Sequence, residues 1–325
     1  MTTIRHDDPI DQLDALLEDT ALARGVETLP ALSVLVAVAD DAERESVLAL
    51  ATALHRRRRA TPTLLHTLEI APVVMPDAML GYGSLAVELE EPQMRAWTEA
   101  RLRTSLHLDT GAPAGWPMRV KLGPVVQSIA EEVEETGASL VVLGMHHHTA
   151  IGRALGNDTL HGVLARNVAP VLAVRSELED LPRKVIVAVD FSSASRRAAH
   201  LARRLMDEHG TLYLVNVSPD VQEDHTERTE GARLIHARGL KTAFAELVEE
   251  LDTPPGMTVA TVSCRGETLE ELTIFAAGIN ADLIAVGRQR HSVAERLRNG
   301  SVTNALAADG RWSLLAIPQG SSEAL

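Results

Sequence analysis

The chain has 325 residues, long enough for about two domains that each bury a core. Its formal net charge of -14 argues against nucleic acid or an anionic membrane surface as a partner. Apolar residues make up 45% and aromatics only 2%, a composition suited to buried parallel strands under Ala/Leu-rich helices, and the single cysteine, Cys264, excludes an intrachain disulfide framework or a cysteine-based zinc site.

The N-terminus lacks a basic segment followed by an apolar one, and no run approaches the roughly 18 apolar residues of a membrane span. A cytoplasmic location, with no membrane partner, is the expectation. Residues 1–31 are taken as an N-terminal extension. In it Asp8-Pro9 signals a helix start, and Ile10, Leu13, Leu16 and Leu17 share a face of a short amphipathic helix.

A first domain is expected over 32–175. Ser33 to Val38 is an apolar run of strand length. A helix follows, carrying Val47, Leu48, Ala51 and Leu54 and ending in Arg56 to Arg59, where cations at a helix C-terminus read as a solvated face. A strand near Thr63 to Leu68, a helix across about 86–108, strand Met118 to Leu122, helix Pro124 to Thr136, strand Leu140 to Leu143, a glycine loop, a helix near Thr159 to Asn167 and strand Val171 to Val174 complete the half.

Residues 176–183, polar and containing Pro182, are taken as a linker, and 184–318 as a second domain with a tail at 319–325. The order repeats there: strand Lys184 to Val189, a helix after Asp190-Phe-Ser-Ser193, strand Thr211 to Val217, a helix across about 230–251, strand Met257 to Ser263, helix Glu267 to Ala277, strand Leu283 to Val286, a loop, a helix near Val302 to Ala308 and strand Ser313 to Ile317. Strands alternating with helices imply crossovers and a doubly wound parallel sheet, with ligands at the C-terminal strand edge.

The two halves are copies. ASLVVLG at Ala138 to Gly144 lines up with ADLIAVG at Ala281 to Gly287; Gly123 lines up with Gly266, and VLAV at Val171 to Val174 with LLAI at Leu314 to Ile317, all at one spacing. In the second copy, Asp190 ends the first strand while Gly287 and Gly300-Ser301 frame the turn after the fourth. Glycine admits backbone to a phosphate, and amides at a helix start favour anions. A strand, a glycine and a capped helix also describe an ordinary connection.

With Asp190, Val217 at the end of the next strand, and Gly287 followed after twelve residues by Gly300-Ser301, all in one duplicated domain, the chain resembles the universal stress protein family over roughly 32–175 and 184–318. The resemblance implies two tandem Rossmann-like domains with five-stranded parallel sheets, packed as a pseudo-dimer. It implies ATP, with Mg, as a ligand: the loop on triphosphate and ribose, the first-strand aspartate beside adenine, and backbone contact from the second strand end. Carried over, the residues are Asp190, Val217, Gly287, Gly300 and Ser301. Nucleotide-binding members place a second glycine two residues after the first; here that position is Arg290, which either obstructs the phosphate or pairs with it. In the first half Ala39 stands in place of Asp190 with Asp40 displaced by one, the loop is one residue shorter, His147 replaces the second glycine and Asn157 the hydroxyl residue, so that half is not expected to bind ATP in the family manner.

His146, His147 and His148 are adjacent on one loop and do not form a spaced ligand set, so no metal site is assigned. Cys264 on a strand is expected to be buried rather than reactive. No nucleophile elbow, Walker loop or HExxH pattern is present, and no enzyme activity is expected. The expected function is a stress-response module that binds an adenine nucleotide in the second domain. The alternatives are a ligand-independent interaction or scaffold protein and, more weakly, a slow ATP hydrolase. Pairing of Val171–Val174 with Ser313–Ile317 would cover an otherwise exposed edge internally, and a homodimer or other protein partner stays open.

Overall fold

The computed structural model describes residues 31–39, 44–68, 91–110, 115–145, 159–219, 227–288 and 302–318. The expectations for the N-terminal helix, Asp40, His146 to His148, Asn157, Arg290, Gly300, Ser301 and the tail lie outside the described residues.

In chain order the first half contains β1 (Ser33–Ala37), α1 (Arg44–Arg58), β2 (Thr61–Leu68), α2 (Glu91–Thr110), β3 (Met118–Leu122), α3 (Val125–Thr136), β4 (Leu140–Gly144), α4 (Thr159–Arg166) and β5 (Val171–Val174). The second contains β6 (Lys184–Ala188), α5 (Ser193–Leu205), β7 (Thr211–Ser218), α6 (Glu227–Leu251), β8 (Thr258–Arg265), α7 (Thr268–Ile279), β9 (Leu283–Gly287), α8 (Val302–Asp309) and β10 (Ser313–Ile317). The strand and helix order matches the expectation, with some ends displaced by a few residues among the described residues.

The strands form one continuous sheet in the order β3-β2-β1-β4-β5-β10-β9-β6-β7-β8. Each half is a parallel five-stranded sheet, and the halves join where β5 and β10 run antiparallel, Leu172 opposite Leu315 and Ala173 opposite Leu314. The pseudo-dimer is therefore sealed by backbone hydrogen bonds, which removes an edge from each half. The duplication persists in detail. Gly123 and Gly266 accept left-handed φ values of 132° and 137°, and their amides donate to Leu68 O and Ser218 O at the ends of β2 and β7.

Alternate strand residues feed two cores. On one face Val34, Val36, Leu140, Val142, Leu172, Val187, Leu283 and Leu315 meet α1, α5 and α6; on the other Leu35, Val141, Val171, Ile186, Ile284 and Leu314 meet α3, α4, α7 and α8. Both cores run through the junction, so neither half closes its own. Short strands buried on both faces explain the apolar runs without alternation in the sequence.

One expectation about the junction changes. The arginine run at the end of α1 is not simply a solvated face: Arg57 reaches Asp207 (2.8 Å) and Asp180 (3.1 Å), and Arg58 donates to the Met206 carbonyl. The helix dipole favours cations there, and the second half supplies their partners. The segment 176–183, taken as a linker, is held at both ends: Ser46 Oγ donates to the Ser176 carbonyl and Leu181 is buried in the core.

Candidate functional site

The site lies at the C-terminal edge of the second half's parallel strands. Ala188 stands opposite Val286 on β9 and Val215 on β7, so Asp190, Gly287 and Val217 fall just past the same line on three neighbouring strands. The Val189 amide donates to Val215 O, and the buried Asn216 side chain donates to Val189 O at 2.7 Å, locking the ends of β6 and β7 together. Ser218 Oγ extends this by donating to Asn216 Oδ1.

The turn from β6 into α5 is built from its own side chains. Asp190 Oδ1 accepts from the Ser192 amide at 3.0 Å, and Ser192 Oγ accepts from the Ser195 amide at 3.3 Å, capping the helix. Burial pushes the Asp190 carboxyl up, but hydrogen bonds from Ser192 and Ser195 outweigh that and hold it below the ordinary aspartate value. It is an anion at neutral pH. Phe191 between them takes φ 62°, a left-handed conformation that costs a non-glycine residue about 1–2 kcal/mol. Its ring packs edge-on against Phe244 of α6, centroids 5.1 Å apart, which offsets part of that cost.

Gly287 has a reason that the sequence did not suggest. A Cβ there would stand 2.5 Å from the Ser195 amide nitrogen and 2.8 Å from Ala194 O. The first turn of α5 lies on the end of β9, and only the missing side chain lets it. Ala198, Ala199 and Ala202 continue this close seat, all fully buried. Gly287 thus brings the positive end of α5, with its first-turn amides, to the strand edge beside Asp190.

The first half carries a counterpart. Its Val38 amide donates to Leu65 O as Val189 does to Val215 O, which aligns Ala39 with Asp190 and His66 with Asn216. His66 Nδ1 lies 2.8 Å from Val38 O, the bond that Asn216 makes in the other copy. A cleft of about 270 Å³ opens there, with Ala39, Arg44, His66, Gly144 and Thr159 on its wall. No carboxylate replaces Asp190 at that position. Asn216, His66 and Arg44 escaped the sequence reasoning; the one available signal was their place near a strand end or helix start at the same edge of the sheet as the glycine.

Of the remaining expected residues, Val217 is half-buried on β7, paired with Cys264 of β8. Cys264 itself is only partly covered, because β8 is the outer strand of the sheet, contrary to the buried position expected. Burial and the Glu271 charge push its thiol up, which disfavours the thiolate. Among the described residues no group of three or more His, Cys, Asp or Glu converges to hold a metal, and no helix is long and apolar enough to cross a membrane.

The universal stress protein family model matches residues 32–175 and again 182–318. The chain belongs to the universal stress protein family. It is a tandem member, with the two copies fused into one sheet. Among solved structures, a universal stress protein from Archaeoglobus fulgidus DSM 4304 is 17% identical with a TM-score of 0.59, over 90% of this chain and 97% of that one. A functionally unknown protein from Pseudomonas aeruginosa PAO1 is 15% identical with a TM-score of 0.60, over 89% and 93%. A putative universal stress protein from Pseudomonas aeruginosa UCBPP-PA14 is 14% identical with a TM-score of 0.59, over 89% and 93%. At such identities the likeness is one of fold. No curated protein matches the chain.

Proposed function

We propose that this tandem universal stress protein binds one adenine nucleotide, ATP, at the C-terminal strand edge of its second half and acts as a stress-response module rather than an enzyme. The observation that carries the reading is the convergence of Asp190, Val217 and Gly287 on one edge with the N-terminus of α5. The residues fit the base end of a nucleotide. Asp190, an anion whose carboxylate is already positioned by the Ser192 amide, accepts a hydrogen bond from an amino or hydroxyl group of the ligand. The locked ends of β6 and β7 present a fixed backbone edge beside it. Gly300 and Ser301 are assigned to the phosphates on the family pattern alone, and Arg290, where that pattern has glycine, either obstructs the phosphates or pairs with them. ATP supplies the phosphate charge to which that loop responds; the chain's own part is to orient the base and ribose.

A second reading, a scaffold in which the fused halves only present surfaces, is favoured by the absence of an Asp190 counterpart at Ala39 and by the continuous core through the junction. Titration calorimetry of nucleotide-free protein with ATP and magnesium separates the two. One ATP per chain supports the first, and no heat at millimolar ATP supports the second. A phosphate-release rate above that of Ser301→Ala would contradict the non-enzymatic part.

A further inference from the structure

The sheet has two outer strands, β3 and β8, and the chain treats them differently. β3 has five residues, follows Pro117, and carries Arg119 and Lys121, whose charges are engaged by Glu132 of α3. A short strand, a proline and charged side chains are the usual protections of a free edge. β8 has eight residues and no charged side chain from Thr258 to Cys264. Among the described residues it pairs with β7 alone, so its other backbone edge is open.

A groove of about 650 Å³ runs beside that edge, between α6 and Thr261 and Ser263 of β8. Leu240, Phe244 and Val248 of α6 make it apolar, and Lys241 and Glu249 stand exposed along the same helix face. Neither charge has a side-chain partner among the described residues, whereas the neighbouring Glu246 and Glu250 are held by Arg196. Lys241 and Glu249 lie four residues to either side of Ala245, a small exposed residue that also lines the groove. Two copies of α6 crossing antiparallel at Ala245 therefore bring Lys241 of each against Glu249 of the other. The strand fits the same axis. α6 ends at Leu251 and β8 starts at Thr258 after a short turn. From Leu251 back to Ala245 is about 9 Å of helix, and from Thr258 on to Thr261 about 10 Å of strand, so one twofold passes beside both.

We infer that β8 and α6 form a docking surface for a second copy of this chain, the two β8 strands pairing antiparallel about a twofold with the α6 helices side by side over the seam. The chain makes this kind of seam once already, within itself, where β5 and β10 pair antiparallel. A twofold interface must complement itself, and a surface with a cation at one end and an anion at the other does so. Pairing also covers the unprotected edge and the groove beside it. The surface uses neither Asp190, Val217 nor Gly287, so dimerisation is read without nucleotide.

The test is sedimentation velocity of the full chain over a concentration series, free of nucleotide. The wild type sediments at twice the 35.0 kDa mass of one chain. Lys241→Glu sets like charges against each other at both ends of the seam and weakens the dimer by about tenfold. Lys241→Glu combined with Glu249→Lys restores it. Those positions are eight residues apart on one helix, too far to compensate each other within a chain, so rescue reports contact between copies. Thr261→Lys, which gives β8 the kind of charge β3 carries, also weakens the dimer by about tenfold or more. All three positions are exposed, so the variants keep the wild-type circular dichroism spectrum. A one-chain mass for the wild type, a dimer untouched by Thr261→Lys or Lys241→Glu, or a double swap that fails to restore the dimer overturns the inference.

Discussion

Gly287→Ala adds one methyl group where α5 rests on β9. The added Cβ would lie 2.5 Å from Ser195 N and 2.8 Å from Ala194 O, against the 3.4 Å or more of an ordinary contact, and both neighbours are backbone, so no side chain can swing aside. The first turn of α5 must lift by about 1 Å. The helix carries Ala198, Ala199, Leu201, Ala202 and Leu205 into the core with no measurable exposure, so lifting it loosens a face that small residues had packed. Overpacking of this kind costs about 1–3 kcal/mol, with the upper end expected since the obstacle is main chain. Chemical denaturation followed by circular dichroism gives the value. Gly278→Ala is the internal control: nothing lies within 4 Å of the added atom, and an exposed helical glycine replaced by alanine gains about 0.5–1 kcal/mol. If Gly287→Ala unfolds at the wild-type midpoint, the glycine is not there for packing, and the account of how α5 reaches the strand edge fails.

Other outcomes follow from the same geometry. Leu315→Ala, at a fully buried residue opposite Leu172 on the junction, costs about 2–5 kcal/mol and lowers the cooperativity of unfolding, read from the denaturant dependence. Arg57→Ala removes exposed pairs with Asp180 and Asp207 and costs no more than about 1 kcal/mol, an effect that vanishes in 1 M salt. Two pH legs are expected in thermal melts. Burial first, and then Arg203, hold the His200 imidazole below its ordinary value, so the unfolded chain binds the extra proton and stability declines as pH falls through about 6.5; His200→Gln removes that leg. Asp207, held low mainly by the His209 amide, and Asp190 add stability that is present above about pH 4 and is lost as pH falls further.

Much of the fold was legible because buried parallel strands leave continuous apolar runs, and because the duplication let each half interpret the other. The junction was legible for a different reason: VLAV and LLAI are edge strands of their halves, and an edge needs a partner. What escaped were facts fixed by distance in space rather than along the chain. The partners of Arg57 lie more than a hundred residues away, so a run of arginines looked like solvated charge. Gly287 was legible as a glycine with a purpose, but nothing along the chain announces that the backbone of α5 lies where its side chain would stand. Cys264 looked buried because nothing in its strand announces that β8 is outermost. Asn216 and His66 share no chemistry as residue types, and only their identical bonds to Val189 O and Val38 O reveal them as equivalents.

The central claim is a nucleotide at the second half's strand edge, and calorimetric titration with ATP of nucleotide-free wild type beside Asp190→Asn tests it most directly. Asparagine keeps an acceptor for the Ser192 amide, so the turn into α5 survives while the charge is lost. The account predicts one ATP per wild-type chain and about tenfold or weaker binding by Asp190→Asn, since a hydrogen bond to a charged group contributes about 1.5–3 kcal/mol. Absence of binding in the wild type, or equal affinity in the two proteins, contradicts it.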